Sequence, residues 1–122
     1  MKQLLNILII EDNIDDAYLI EKNLQRSGLT FNVQVVTGKE DFMIEINTNA
    51  YDVILTDNGM PQFDSRDVLN FLNQKKLQTP VIIVSGTIDQ QSATAWMKEG
   101  IFDYVNKDNL KNLASVINKA ME

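Results

Sequence analysis

The stretch LLNILIIEDN, residues 4–13, decides the fold. Leu4–Ile10 is nearly unbroken Leu and Ile, and it stops abruptly at Glu11 and Asp12. A strand with one wet face alternates apolar and polar side chains. A continuous apolar run suits a strand buried on both faces, as in a parallel sheet covered by helices. Two later runs have the same character, Val53–Leu55 and Val81–Val84, and two shorter ones, Val33–Val36 and Tyr104–Val105, complete a set of five.

Helical patterns lie between and after these runs. Asn13 is placed to cap a helix reaching about Ser27, with Ala17, Ile20 and Leu24 on one face and Gly28 at its stop. Thr37 with Glu40 reads as a capping box ahead of Phe42, Met43 and Ile46. Asp64 precedes a helix burying Val68, Leu69 and Leu72. Thr87 with Gln90 reads as a second capping box, with Ala93, Trp96 and Met97 inside and Gly100 at the end. Asp108 precedes Leu110, Leu113, Ala114 and Ile117, spaced as one helical face. Five strands alternating with five helices predict a three-layer α/β sandwich around a parallel sheet.

Composition narrows the chemistry. The 122 residues suit one domain over 1–122, with a radius of gyration of about 14 Å. Histidine and cysteine are both absent, which removes Cys-His zinc sites, thiol nucleophiles and Ser-His-Asp triads. Seventeen acidic against eleven basic residues give a net charge of −6, which disfavours direct binding to nucleic acid. No apolar run approaches the roughly 20 residues that span a bilayer, so no membrane insertion is expected. The N-terminus lacks the pattern of a signal peptide. The plain expectation is an acidic cytoplasmic domain.

Ligands of open parallel sheets bind beyond the carboxyl ends of the strands. Glu11 and Asp12 follow the first strand, Asp57 the third, Ser85 and Gly86 the fourth, and Lys107 the fifth. Taken singly, each has a dull role: a helix start, a turn before Asn58-Gly59, a loop, a solvated charge. Brought side by side, they put three carboxylates, a hydroxyl and an ammonium in one cleft. Two like charges about 4 Å apart repel by about 4 kcal/mol at an effective dielectric of 20. Such a cluster calls for a cation, and Mg²⁺, which takes carboxylates, water and phosphate oxygens, is the natural one. A carboxylate beside Mg²⁺, a hydroxyl and a lysine is a plausible nucleophile toward a phosphoryl group.

These residues resemble the receiver domain of bacterial two-component response regulators, the CheY-like family. The likeness runs through ILIIEDN (7–13), DVILTDNGMP (52–61), PVIIVSGT (80–87) and DYVNKDNL (103–110). It implies a doubly wound, flavodoxin-like fold with strand order 2-1-3-4-5. It further implies that Asp57 accepts the phosphoryl group and that Asp12 and Asp57 ligate Mg²⁺. Glu11 would act through a metal-bound water, and Gly59 would offer its backbone carbonyl. Ser85 and Lys107 would bond the transferred group, with Ser85 and Tyr104 acting as the switch pair. Asn58, Gly59, Gly86 and Thr87 would line the path of the hydrolytic water. The implied donor is a sensor histidine kinase or histidine phosphotransfer domain. The implied output is a downstream effector protein or domain engaging the face formed by helix 4, strand 5 and helix 5. On this reading the domain is a signalling switch with self-phosphorylating and self-dephosphorylating chemistry, not an enzyme. It is either a stand-alone regulator or part of a longer hybrid protein.

Four positions depart from the family pattern: Glu11 for Asp, Ser65 for Gly, Ala17 for Arg, and Asp108 for the Pro that usually follows the lysine. Without proline, the bond after Lys107 is expected to be trans. Two rivals are a receiver-like module that is never phosphorylated and an enzyme of similar topology. A flavodoxin-type site would want a Gly/Ser/Thr-rich loop where Glu11-Asp12 stands. A haloacid-dehalogenase-type phosphatase would want a second Asp two residues after its nucleophile.

Overall fold

A computed structural model describes residues 4–122. The strands are β1 (Leu4–Ile10), β2 (Thr30–Val36), β3 (Val53–Thr56), β4 (Val81–Ser85) and β5 (Asp103–Asn106). They form one parallel sheet in the order β2-β1-β3-β4-β5. The helices are α1 (Ile14–Arg26), α2 (Lys39–Thr48), α3 (Ser65–Gln74), α4 (Gln90–Glu99) and α5 (Leu113–Ala120), the last preceded by a 3-10 segment over Lys107–Asn112. The expected doubly wound α/β architecture, with its 2-1-3-4-5 order, is the one observed.

The apolar runs divide between two cores because alternate strand side chains point to opposite faces. Leu8, Ile10, Ile54, Val81 and Ile83 face one layer, where α2, α3 and α4 supply Phe42, Ile46, Val68, Leu72 and Trp96. Ile7, Ile9, Val53, Leu55, Ile82 and Val84 face the other, against Ile20 and Leu24 of α1 and Leu113 and Ile117 of α5. Phe42 is fully buried and its ring sits 5.4 Å from Phe63 and 5.6 Å from Phe71. At the sheet edge β2 keeps Thr30, Asn32 and Gln34 exposed, so its apolar signal shrinks to alternate residues.

Helix starts follow side-chain caps. Asn13 Oδ1 accepts from the Asp16 N–H at 3.0 Å. Asp64 and Asp67 exchange reciprocal bonds of 3.1 and 2.9 Å, a capping box. The two expected threonine boxes are corrected. Before α2 it is the Asp41 carboxylate that accepts from the Thr37 N–H (2.7 Å) and the Gly38 N–H (2.9 Å), so the helix begins after Gly38. The short Asp41 arm reaches both free donors, while Glu40 stays exposed. Before α4 the cap is Asp89, which accepts from the Ser92 N–H at 2.7 Å. Thr87 is engaged with Ser85 instead.

Two further expectations change. Met97, expected inside α4, is 47% exposed, because only Ala93 and Trp96 of that helix reach the core. The final helix is broken: Asn109 is non-helical (φ −137°, ψ 48°), and α5 begins only at Leu113. Leu113 and Ile117 are buried as expected, while Leu110 and Ala114 are half-buried. The α4 stop at Gly100 has φ +113°, a left-handed backbone that favours glycine.

Candidate functional site

The carboxyl ends of the strands are stitched at backbone level. The Glu11 N–H donates to the Val36 carbonyl (2.9 Å), and the Asp57 N–H donates to the Ile10 carbonyl (3.0 Å). These bonds continue the sheet ladder one residue past each strand, so Glu11 and Asp57 leave the sheet side by side. Carboxylate oxygens of Glu11, Asp12 and Asp57 all lie within 4.8 Å of one another. Glu11 is buried, Asp57 half-buried and Asp12 exposed, so the cluster opens toward solvent at Asp12.

Lys107 enters from the end of β5. Its Nζ lies 2.9 Å from Glu11 Oε2, 2.8 Å from Asp16 Oδ2 and 3.6 Å from Asp57 Oδ2. Three carboxylates, those of Glu11, Asp16 and Asp57, thus share one ammonium, with exposed Asp12 beside Glu11 and Asp57. Burial pushes the Glu11 carboxyl above its ordinary range, and nearby Asp57 adds to this, while Lys107 and the Asn13 N–H pull the other way. Burial alone would lower Lys107. The Asp16 and Glu11 carboxylates, with Asp57, outweigh it and hold the ammonium well above the ordinary lysine value.

The donor set suits a hard divalent cation. Glu11 Oε1 accepts from the Asn13 N–H at 3.1 Å. Glu11 Oε2 faces only the Lys107 ion contact and is, among the described residues, the buried side-chain oxygen with no hydrogen-bond donor. An all-oxygen group with one under-satisfied member and one solvent-facing member fits Mg²⁺, which keeps several of its waters.

The loops around the cluster are ordered by their own side chains. Asp57 Oδ1 accepts from the Gly59 N–H (3.1 Å), closing a tight turn, and Asn58 Oδ1 accepts from the Ser65 N–H (3.1 Å). Ser65, where the family often has glycine, is buried at the first turn of α3. Ser85 ends β4, buried, with its hydroxyl donating to the Thr87 carbonyl (3.3 Å) and accepting from the Thr87 N–H (3.4 Å). A side chain on Gly86 would meet the Lys107 stem at 4.0 Å, which sets that glycine beside the lysine. Tyr104 is 38% exposed and lies edge-on to Trp96, with ring centroids 6.2 Å apart.

The strand-end residues therefore come together in two groups. Glu11, Asp12, Asp57 and Lys107 form the charged cluster. Ser85 with Thr87, and Tyr104 with Trp96, lie along β4, β5 and α4. Two residues that sequence reasoning passed over matter here. Asp16, from the first turn of α1, makes the shortest contact to Lys107. Asn106 Oδ1 accepts from the Asp108 N–H at 2.8 Å. That donor exists because Asp108 is not proline, and its bond starts the 3-10 segment. The Lys107–Asp108 peptide is trans, as expected.

Comparison with known proteins gives a consistent result. The family described as "Response regulator receiver domain" matches residues 7–118. The chain is 32% identical over 103 residues to the cell cycle transcriptional regulator CtrA of Caulobacter vibrioides, covering 84% of this chain and 44% of that protein. It is 27% identical over 101 residues to the PhoP alkaline phosphatase synthesis regulator of Bacillus subtilis, covering 83% of this chain and 41% of that one. The chain thus spans less than half the length of these relatives. Among solved structures, the receiver domain of Francisella response regulator 1452 superposes with a TM-score of 0.83 at 28% identity, covering 96% of both chains. A receiver domain protein from Clostridium thermocellum gives 0.81 at 30% identity, over 96% of this chain and 94% of that one.

Proposed function

The chain belongs to the response regulator receiver family, and from that membership we propose that Asp57 is its phospho-acceptor. A receiver of this family is a phospho-accepting signalling domain of two-component systems. That chemistry falls to named residues of a single domain, 1–122. The observation that carries it is the cluster itself: Glu11, Asp12 and Asp57 oxygens within 4.8 Å, with the Lys107 ammonium 3.6 Å from Asp57.

In the proposed reaction, a phosphohistidine of a sensor kinase or histidine phosphotransfer domain presents its phosphorus to an Asp57 oxygen. The new O–P bond forms as the P–N bond breaks, and the electron pair leaves with the imidazole nitrogen, which takes up a proton. Bound Mg²⁺, held through Asp12 and Asp57, the Gly59 carbonyl and a water on Glu11, would supply charge neutralisation at the phosphoryl oxygens. Lys107 supplies a fixed positive charge on the other side of Asp57. Ser85 gives up its Thr87 contacts to donate to the phosphoryl group, and Tyr104 then repacks against Trp96.

The output follows from where those residues lie. A groove of about 530 Å³ between α4, β5 and α5 is lined by Ile88, Ala93, Tyr104, Asn109 and Val116. Repacking of Tyr104 reshapes that groove, and an effector protein or domain that prefers one shape shifts the population. Hydrolysis by an in-line water, passing Asn58, Gly59, Gly86 and Thr87, resets the domain. We place this signalling in the cytoplasm; no described helix is long and apolar enough to cross a membrane.

Intact mass after incubation with acetyl phosphate and Mg²⁺ tests the assignment. The expected result is a Mg²⁺-dependent gain of one phosphoryl group that is absent in Asp57→Asn. An Asp57→Asn protein that still took the label at one site would overturn it. So would a wild-type protein that neither gains mass nor binds beryllofluoride, which would instead indicate a module that signals unphosphorylated.

A further inference from the structure

We propose that Asp16 is the positioning residue for Lys107, holding its ammonium at the acceptor cleft once the other carboxylates are engaged elsewhere. This rests on the reading of Asp57 as acceptor and deepens it. Lys107 faces three carboxylates, and its contacts to Asp16 (2.8 Å) and Glu11 (2.9 Å) are shorter than that to Asp57 (3.6 Å). Glu11 and Asp57 belong to the group that could hold a divalent ion; Asp16 does not. A cation in that group would claim two of the three carboxylates that now face Lys107, and it would repel the ammonium. Asp16 is then the counter-ion left to it.

The surroundings make that anchor necessary. Lys107 projects from the start of a 3-10 segment that breaks helical geometry two residues later, at Asn109. Residue 86, beside its stem, is a glycine, with no side chain to form a wall. Asp16, by contrast, is well fixed. Its N–H donates to Asn13 Oδ1, and its helix is seated by buried Ala17 and Ile20. The contact joins residues 91 apart in sequence, so α1 sets the aim of a side chain from the opposite end of the chain. A dull role as an acidic first-turn residue is shared by Asp15, which is exposed on the same turn. Asp15→Ala is therefore the control.

The experiment uses the full chain and two readouts. Lysine Nζ correlations in NMR spectra at low temperature report ammonium groups held in ion pairs, and Lys107→Ala identifies the relevant signal. In the wild type and in Asp15→Ala, that signal should persist with and without Mg²⁺. In Asp16→Ala it should persist without metal, where Glu11 and Asp57 remain, and vanish when Mg²⁺ is added. Labelling by acetyl phosphate at saturating Mg²⁺ should slow about tenfold in Asp16→Ala, the fold-change of one lost charge-assisted hydrogen bond. It should be unchanged in Asp15→Ala. Retention of the Mg²⁺-loaded signal in Asp16→Ala, or the same loss in Asp15→Ala, would overturn the proposal. A wild type with the expected spectra but no uptake of label would instead refute the acceptor reading and leave the role of Asp16 in place.

Discussion

Replacing Lys107 by alanine leaves Glu11, Asp16 and Asp57 facing one another with no cation between them. Each ion contact of 2.8–3.6 Å corresponds to a gross attraction of about 5 kcal/mol at an effective dielectric of 20. Much of that offsets the cost of drawing the ammonium from water, and removing one partner of a buried pair typically costs about 3 kcal/mol net. At about 2.1 cal/mol/K of unfolding entropy per residue, a 122-residue chain loses about 4 °C of Tm per kcal/mol. Lys107→Ala should therefore melt about 12 °C below wild type in EDTA at pH 7, read by calorimetry. The deficit should shrink with Mg²⁺, which substitutes one cation for another. It should also shrink on acidification. Glu11 already has a raised folded pKa, so its share of stability is present at low pH and is lost as pH rises through that value. Lys107, with its own pKa raised, stabilises the wild type below the ordinary lysine value of 10.5, and the contribution fades only as pH climbs through the higher folded value. A Lys107→Ala protein that melts with wild type in EDTA, or whose deficit ignores both Mg²⁺ and pH, would refute this account of the cluster.

Three other outcomes follow from the same structure. Glu11→Gln should be at least as stable as wild type in EDTA at pH 7, because it removes an unfavourably buried charge, and should lose most of the Mg²⁺ stabilisation. For wild type, that stabilisation is about 2.7 kcal/mol at a hundredfold excess over Kd, and thermal shift against Mg²⁺ concentration measures both. Trp96, the sole tryptophan, should change its emission when beryllofluoride and Mg²⁺ are added, since its ring abuts Tyr104. An unchanged spectrum would detach Tyr104 from the switch, and Asp57→Asn should show no change. Phe42→Ala should lose about 3–5 kcal/mol by denaturant titration, since it empties the fully buried centre of the Phe42–Phe63–Phe71 cluster.

Much of this was legible in the sequence, for physical reasons that also explain the misses. β1, β3 and β4 are buried on both faces, so their residues form continuous apolar runs that mark them at once. β2 lies at an edge, and its first three residues read as nothing in particular because Thr30 and Asn32 meet water. The capping errors at Thr37 and Thr87 came from neighbouring residues with equal intrinsic aptitude; the loop path selects Asp41 and Asp89. Glu11, Asp12, Asp57 and Lys107 could be found because parallel strands deliver their carboxyl ends to one edge. Asp16 could not. Its contact depends on the reach of a lysine across 91 residues, and an acidic residue in a helix's first turn already has a sufficient local reason to be there.

The sheet also acts as a partition. Apart from exposed Leu4, every apolar side chain of β1, β3 and β4 commits to one side, and the two helical layers share no buried cluster. Free-energy changes from substitutions on opposite sides, such as at Phe42 and Leu113, should then add, while those within a layer should couple. The carboxyl edge is where this independence ends. There α1 contributes Asp16 and the chain leading into α5 contributes Lys107, both from one layer, while the loop after Asp57 is tied to α3 of the other layer by the Ser65 N–H donating to Asn58 Oδ1. The rim that carries the charges is thus a place where elements of the two halves meet. A change of charge there can be felt in both layers, whereas a change in either core stays on its own side.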